Sequence, residues 1–262
     1  MPSLTSQNDL RAVQKLEFCY LCGHDFDANS ERTKDHLPPR AIFAEGDRNY
    51  PLQVPAHGSC NRDRSSEDEV IGQLVSLLHG RVPKPHRDRL TVEIRQESGR
   101  ELGILTGLQI EAVIRRWLMG FHAALYKEPL APNTRFATQC PFPSGSIKDD
   151  SITVHKIPRQ HRVFVEEIKR NRITGCVDSI VSNNGKLRYE CVWVRMDDGG
   201  WGCVYGLDIY GWKNLGDIHN FEPRGCAGLY RTPDATFPKD AKKATNLEFR
   251  FEGDDPLDPF AA

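Results

Sequence analysis

The chain has 262 residues, of which 39% are hydrophobic and 27% charged, and its net charge is −1. That profile fits an ordinary globular protein and excludes a disordered, collagen-like or strongly polyanion-seeking chain. No run of about eighteen apolar residues is present and the first ten residues lack the basic-then-apolar order of a secretory signal, so a cytoplasmic protein with no membrane partner is expected.

In chain order, residues 1–16 are polar and read as frayed or loosely helical. Candidate metal ligands crowd residues 17–66: Cys19-Tyr20-Leu21-Cys22, then Lys34-Asp35-His36-Leu37-Pro38-Pro39, then His57-Gly58-Ser59-Cys60-Asn61. Residues 70–78 read as a short amphipathic helix ended by Gly80, followed by a basic, proline-containing connector with Arg81, Lys84, His86, Arg87 and Arg89. The strongest helix covers 108–126, where Ile110, Val113, Ile114, Trp117, Leu118, Phe121, Ala124 and Leu125 recur at three- and four-residue steps. Pro129, Pro132, Pro141 and Pro143 break that pattern. The chain beyond these prolines alternates as strands do, and it carries a second basic group (Lys156, Arg159, His161, Arg162, Lys169, Arg170, Arg172). Strands over 173–181 and 187–195 flank the turn 182–186, and Trp201–Ile209 follows Asp197-Asp198-Gly199-Gly200, which predicts an antiparallel meander. Trp193, Trp201, Tyr205, Tyr210 and Trp212 fit either a sheet core or base stacking. The Asp- and Pro-rich tail from Gly253 reads as irregular.

Eight cysteines in a chain without a secretory signal point to reduced thiols and metal rather than to disulfides. Cys19 and Cys22, two residues apart, can face one ion, and His57 and Cys60 supply a second pair with the same spacing for a tetrahedral zinc shell. His24, two residues past Cys22, is a rival for the histidine position. Cys140, Cys176, Cys191, Cys203 and Cys226 have no such spacing and read as small core residues or, alternatively, a second metal site.

Asp35-His36 is the catalytic candidate. Phosphodiester hydrolysis near neutral pH needs a base to take a proton from water, which an imidazole can supply, while an adjacent carboxylate can hold a hard divalent cation. The amide oxygen of Asn61, next to a zinc cysteine, suits the same Mg²⁺ or Mn²⁺ ion. Arg40, Arg62 and Arg64 are close enough in sequence to contact a phosphate backbone or, equally, to be solvated charges. Asp68 and Glu69 either extend the metal site or pair with Arg62 and Arg64.

The order Cys-x-x-Cys, Asp-His-x-Pro-Pro, Cys-Asn over residues 17–70 resembles the zinc-knuckle branch of the HNH endonucleases, in an HNN-type variant. The resemblance implies a ββα-metal module with Cys19, Cys22, His57 and Cys60 on structural zinc, His36 as general base, Asp35 and Asn61 on Mg²⁺ or Mn²⁺, and DNA as partner, with RNA also open. Asn49 stands nearest to the family's middle Asn, which orients the catalytic histidine. The resulting expectation is an α+β protein in three parts: an HNH module with structural zinc over 1–80, a basic connector and amphipathic helix over 81–130, and an antiparallel β-rich domain of open role over 131–262. A different class also fits the knuckles: a zinc-stabilised nucleic-acid-binding or adaptor protein with weak catalysis or none.

Overall fold

Ser6 starts the first helix. Its hydroxyl oxygen accepts from the Asp9 amide while the Asp9 carboxylate accepts from the Ser6 amide, a reciprocal cap that launches α1 (Gln7–Val13). Leu10 and Val13 are buried and the helix packs on strand β3, described below. The polar N-terminal stretch is therefore a seated helix and not frayed chain: two apolar residues three apart make one buried face. The computed structural model describes residues 3–62, 68, 70–72, 91–97, 100–106, 110–139, 145–148, 151–154, 159–196, 199–209, 226–232 and 238–249. The connector 81–89, most of the expected helix 70–78, Arg64, Glu69, Cys140, Lys156, Asp197, Asp198, Tyr210, Trp212 and the tail from 253 lie outside these residues.

The fold is mixed α+β, with one large sheet and few helices. Strand β1 (Ser3–Leu4) precedes α1. Strands β2 (Arg32–His36) and β3 (Gln53–His57) form an antiparallel hairpin in which Asp35 faces Val54 and His36 faces Gln53, and α2 (Gly58–Arg62) follows directly. A second hairpin, β4 (Thr91–Glu97) with β5 (Arg100–Thr106), occupies a stretch expected to be connector. The alternation of Val92 and Ile94, and of Leu102 and Ile104, around Ser98-Gly99 is the sequence signal for it.

Helix α3 (Ile110–Tyr126) is amphipathic at its start and buried at every residue from Gly120 to Tyr126, as a helix surrounded by other elements must be. It ends where Lys127 takes a φ of +59° and donates its amide to Ala123 O at 2.9 Å. Strands β6 (Arg135–Gln139), β7 (Gly145–Lys148) and β8 (Ser151–Val154) follow, the last two as a hairpin. Residues up to 173, partly expected as strand, belong instead to α4 (Arg159–Ile173), and β9 begins later (Asp178–Ser182). His161, Phe164, Val165 and Ile168 are buried while Arg162, Glu166 and Arg170 are exposed, and this three-and-four spacing outweighs the local β-branched residues.

The large sheet runs β1-β9-β10-β11-β12-β6, with β10 (Leu187–Met196), β11 (Trp201–Ile209) and β12 (Cys226–Arg231), while β13 (Lys243–Phe249) pairs the far end of β10. Its centre is antiparallel as expected, but β1–β9 and β10–β13 pair in parallel. Period-two alternation splits β10 between two layers. Tyr189, Cys191 and Trp193 join a core with α3, whereas Val192, Val194 and Met196 pack with α4 residues Phe164, Val165 and Ile168. The α3-side core continues without a break into Tyr20, Leu37, Phe43, Leu52 and Val54 of the hairpin region, so one apolar body carries both the hairpin and the sheet. No helix among the described residues is long and apolar enough to cross a membrane.

Candidate functional site

A turn shapes the first pair of ligands. The Cys19 amide donates to His24 O and the Gly23 amide to Cys19 O, each at 2.8 Å, and Gly23 supplies the φ of +78° that the turn needs. Cys19 and Cys22 thereby meet His57, at the end of β3, and Cys60, on α2. One ligand atom from each of the four lies within 4.8 Å of the others. His57 Nδ1 is 3.3 Å from Cys22 Sγ, and the His57 amide donates to Cys19 Sγ at 3.3 Å. Zinc–sulfur and zinc–nitrogen bonds of about 2.3 and 2.1 Å imply edges of roughly 3.5–3.8 Å between ligands, so this Cys₃His cluster can hold a metal ion such as zinc with small adjustments. Burial, then the neighbouring Cys19 and Cys60 sulfurs, push the Cys22 thiol up to about 11; a bound cation would reverse that by drawing the thiolates. His24 contributes its carbonyl to the turn, and its ring is not among the four. No second such group occurs among the described residues. Cys191, Cys203 and Cys226 are buried and Cys176 half-buried, consistent with packing roles.

An open cleft of about 530 Å³ runs beside this cluster, and Asp35, His36, Asn61, Lys34, Arg40 and Arg62 are among the residues that line it. Asp35 is 5% exposed, and the hydroxyl of Tyr20 donates to its Oδ2. Burial raises the Asp35 carboxyl; the Tyr20 bond and the Arg116 guanidinium pull the other way. His36 is half-buried, and burial first, then the Arg40 charge, lower its ring below the ordinary imidazole range. The ring is accordingly neutral at pH 7.

A chain of side chains sets where that ring holds its proton. Lys34 Nζ donates to Gln14 Oε1, Gln14 Nε2 to Gln53 Oε1, and Gln53 Nε2 meets His36 Nε2, each at 2.8 Å. An ammonium can only donate, so the direction of every bond follows from Lys34: His36 Nε2 accepts, and the ring proton sits on Nδ1. Asn61 gives its amide nitrogen to Thr33 Oγ1 at 3.4 Å, leaving its carbonyl oxygen for another partner. Arg62 forms an exposed ion pair of 2.7 Å with Glu31.

Asn49 is not at the histidine: its amide donates to Gly46 O at 3.4 Å within its own loop, and the residue touching His36 is Gln53. That loop is held from the large sheet, since Asn183 and Asn184 in the β9–β10 turn donate their side-chain amides to Asp47 O at 3.3 Å and Gly46 O at 2.9 Å. Asp68 also lines the cleft and is bonded to the buried Arg116 of α3. Tyr20, Gln53 and Arg116 were not singled out from sequence. Arg116 had a usable signal, lying three residues after Val113 and four before Gly120 on the inward face of α3, an odd place for a charge without a partner. Gln53 had none until the hairpin register placed it opposite His36.

No family model, curated protein or solved structure matches the chain.

Proposed function

We propose that the protein is a metal-dependent endonuclease of the HNH type, in which the hairpin and α2 serve as a ββα module stapled by zinc on Cys19, Cys22, His57 and Cys60. The observation that carries this reading is the shared cleft: Asp35, His36 and Asn61 line it together with Lys34, Arg40 and Arg62. A carboxylate and an amide oxygen are hard donors suited to Mg²⁺ or Mn²⁺. Such a cation, when bound, neutralises charge on a phosphate. His36 takes the proton of a water whose oxygen forms a new bond to phosphorus as the bond to the leaving sugar oxygen breaks. Because the Nε2 lone pair is engaged by Gln53, that bond must be released before Nε2 can serve as the base. Lys34, Arg40 and Arg62 supply local positive charge for the backbone of DNA, or of RNA, on a chain with no net positive field.

The second reading, a zinc-stabilised nucleic-acid-binding or adaptor protein, draws on one observation. Both reactive groups are engaged at rest, His36 by Gln53 and Asp35 by Tyr20. Plasmid nicking with Mg²⁺ or Mn²⁺ separates the two. His36→Ala should lower the rate by about 10²- to 10⁴-fold with zinc content unchanged, and equal cutting by the variant and the unaltered chain would remove the base.

A further inference from the structure

Tyr20 stands between two cluster cysteines and is bonded to Asp35, which lines the cleft. Its side chain is fully buried, its amide donates to Pro55 O on β3 at 3.2 Å, and its hydroxyl donates to Asp35 Oδ2 on β2. One residue of the metal-binding turn thus bonds to both strands of the hairpin. A Cβ at Gly120 of α3 would lie 3.3 Å from Tyr20 Cε2 and 1.9 Å from Leu37 Cδ1, so the helix backbone is pressed against this corner. A buried position that only needed filling would take phenylalanine equally well; a phenol there has a polar partner to serve.

We propose that Tyr20 is a positioning residue that couples the Cys₃His cluster to the cleft by fixing the aim of the Asp35 carboxylate. The inference rests on the reading of Asp35 as a ligand of a hard divalent cation. Its consequence is reciprocal. A filled cluster holds the 19–22 turn, the turn holds the phenol, and the phenol holds the carboxylate, so occupancy of either metal site strengthens the other.

The test uses the full chain loaded with zinc and needs no turnover: Mn²⁺ is titrated and the free ion is read by electron paramagnetic resonance. Tyr20→Phe should keep the zinc stoichiometry of the unaltered chain and a cooperative melting transition but bind Mn²⁺ about 10- to 100-fold more weakly, the loss expected for one hydrogen bond to a charged group. Equal Mn²⁺ affinity in the two proteins overturns the coupling. Asp35→Asn is the control for the underlying reading: if Mn²⁺ binding ignores that change as well, Asp35 is no ligand and both proposals fall. Should Tyr20→Phe lose its zinc or fail to fold, 3-fluorotyrosine at position 20 of the otherwise unaltered chain answers the question. Its fluorine resonance should move when Mg²⁺ is added, and a resonance that stays still overturns the proposal.

Discussion

The hairpin region and the large sheet both concentrate ionisable groups, and they treat them in opposite ways. Around the hairpin, His36, Asn61, Arg40 and Arg62 line an open cleft. Between the sheet and α3, groups of similar chemistry are sealed: Tyr126 donates to Asp178 at 3.0 Å and accepts from Trp193 Nε1 at 3.0 Å, while His122 Nδ1 lies 3.2 Å from Tyr230 Oη. Asp178 is 0% and His122 2% exposed, and burial raises the first and lowers the second, so both tend to neutrality. A network of this kind specifies packing, whereas a cleft with the same residue types can meet a substrate. Richness in His, Tyr, Asp and Cys is therefore a poor guide to function until access is known.

The sharpest way to break this contrast is to remove the cluster. Cys60→Ala, or chelation of zinc, should lose binding energy of the order of 10 kcal/mol and abolish amide hydrogen-exchange protection over 17–62 while β10 and β11 stay protected. Equal loss in both would show that the hairpin and the sheet unfold as one body, and no loss in either would show that the shared core, not the metal, holds the hairpin. A smaller effect is expected from pH. His36 has a lowered pKa, so its neutral form, the base of the proposed reaction, is present above that value and is lost as pH falls through it. Nicking rates should then decline on an acid limb centred below the ordinary value of 6.5, and a limb centred above it would contradict the burial of the ring. Tyr126→Phe should cost about 1–3 kcal/mol, read by denaturant melting, because it strips a donor from Asp178 and an acceptor from Trp193, and it should leave nicking and zinc content alone. Smallest of all, Asn184→Ala removes the bond to Gly46 O and strains a residue at φ +55°. A stability loss of about 1 kcal/mol with a modest fall in nicking is expected, since the sheet would then hold the loop before β3 less firmly.

Much of the candidate site was legible because its signals are local. The two-residue spacings of Cys19 with Cys22 and of His57 with Cys60 state the ligand set by themselves, and the choice of His57 over His24 followed from the same spacing. Helix α3 was legible from its stripe, which spans all of Ile110–Tyr126, and Trp201–Ile209 from its alternation. Other elements needed context. The basic stretch around Arg159–Ile173 reads from sequence as charge rather than helix, although Phe164, Val165 and Ile168 carry the periodicity. Its charges turn out to be largely paired, Arg170 with Glu167 at 3.2 Å and Lys169 with Glu166 at 3.3 Å, which leaves less of that face for phosphate. Asn49 is the nearest Asn along the chain, yet the side chain at the His36 ring is set by strand register, and register is a property of two strands together.

Chemical identity and short-range spacing were thus determined by the sequence alone: which atoms can bind a soft ion, which a hard one, and which stripe of α3 turns inward. Tertiary structure decided everything that depends on residues far apart in the chain. It set Tyr20 on Asp35 fifteen positions away, Gln53 on His36 seventeen away, and Arg116 behind the cleft, and it sealed the tyrosines of the sheet while leaving the hairpin edge open. The reason is physical: ligand spacing is set by covalent geometry over a single turn of chain, whereas exposure and partner choice are set by which faces the folded body buries.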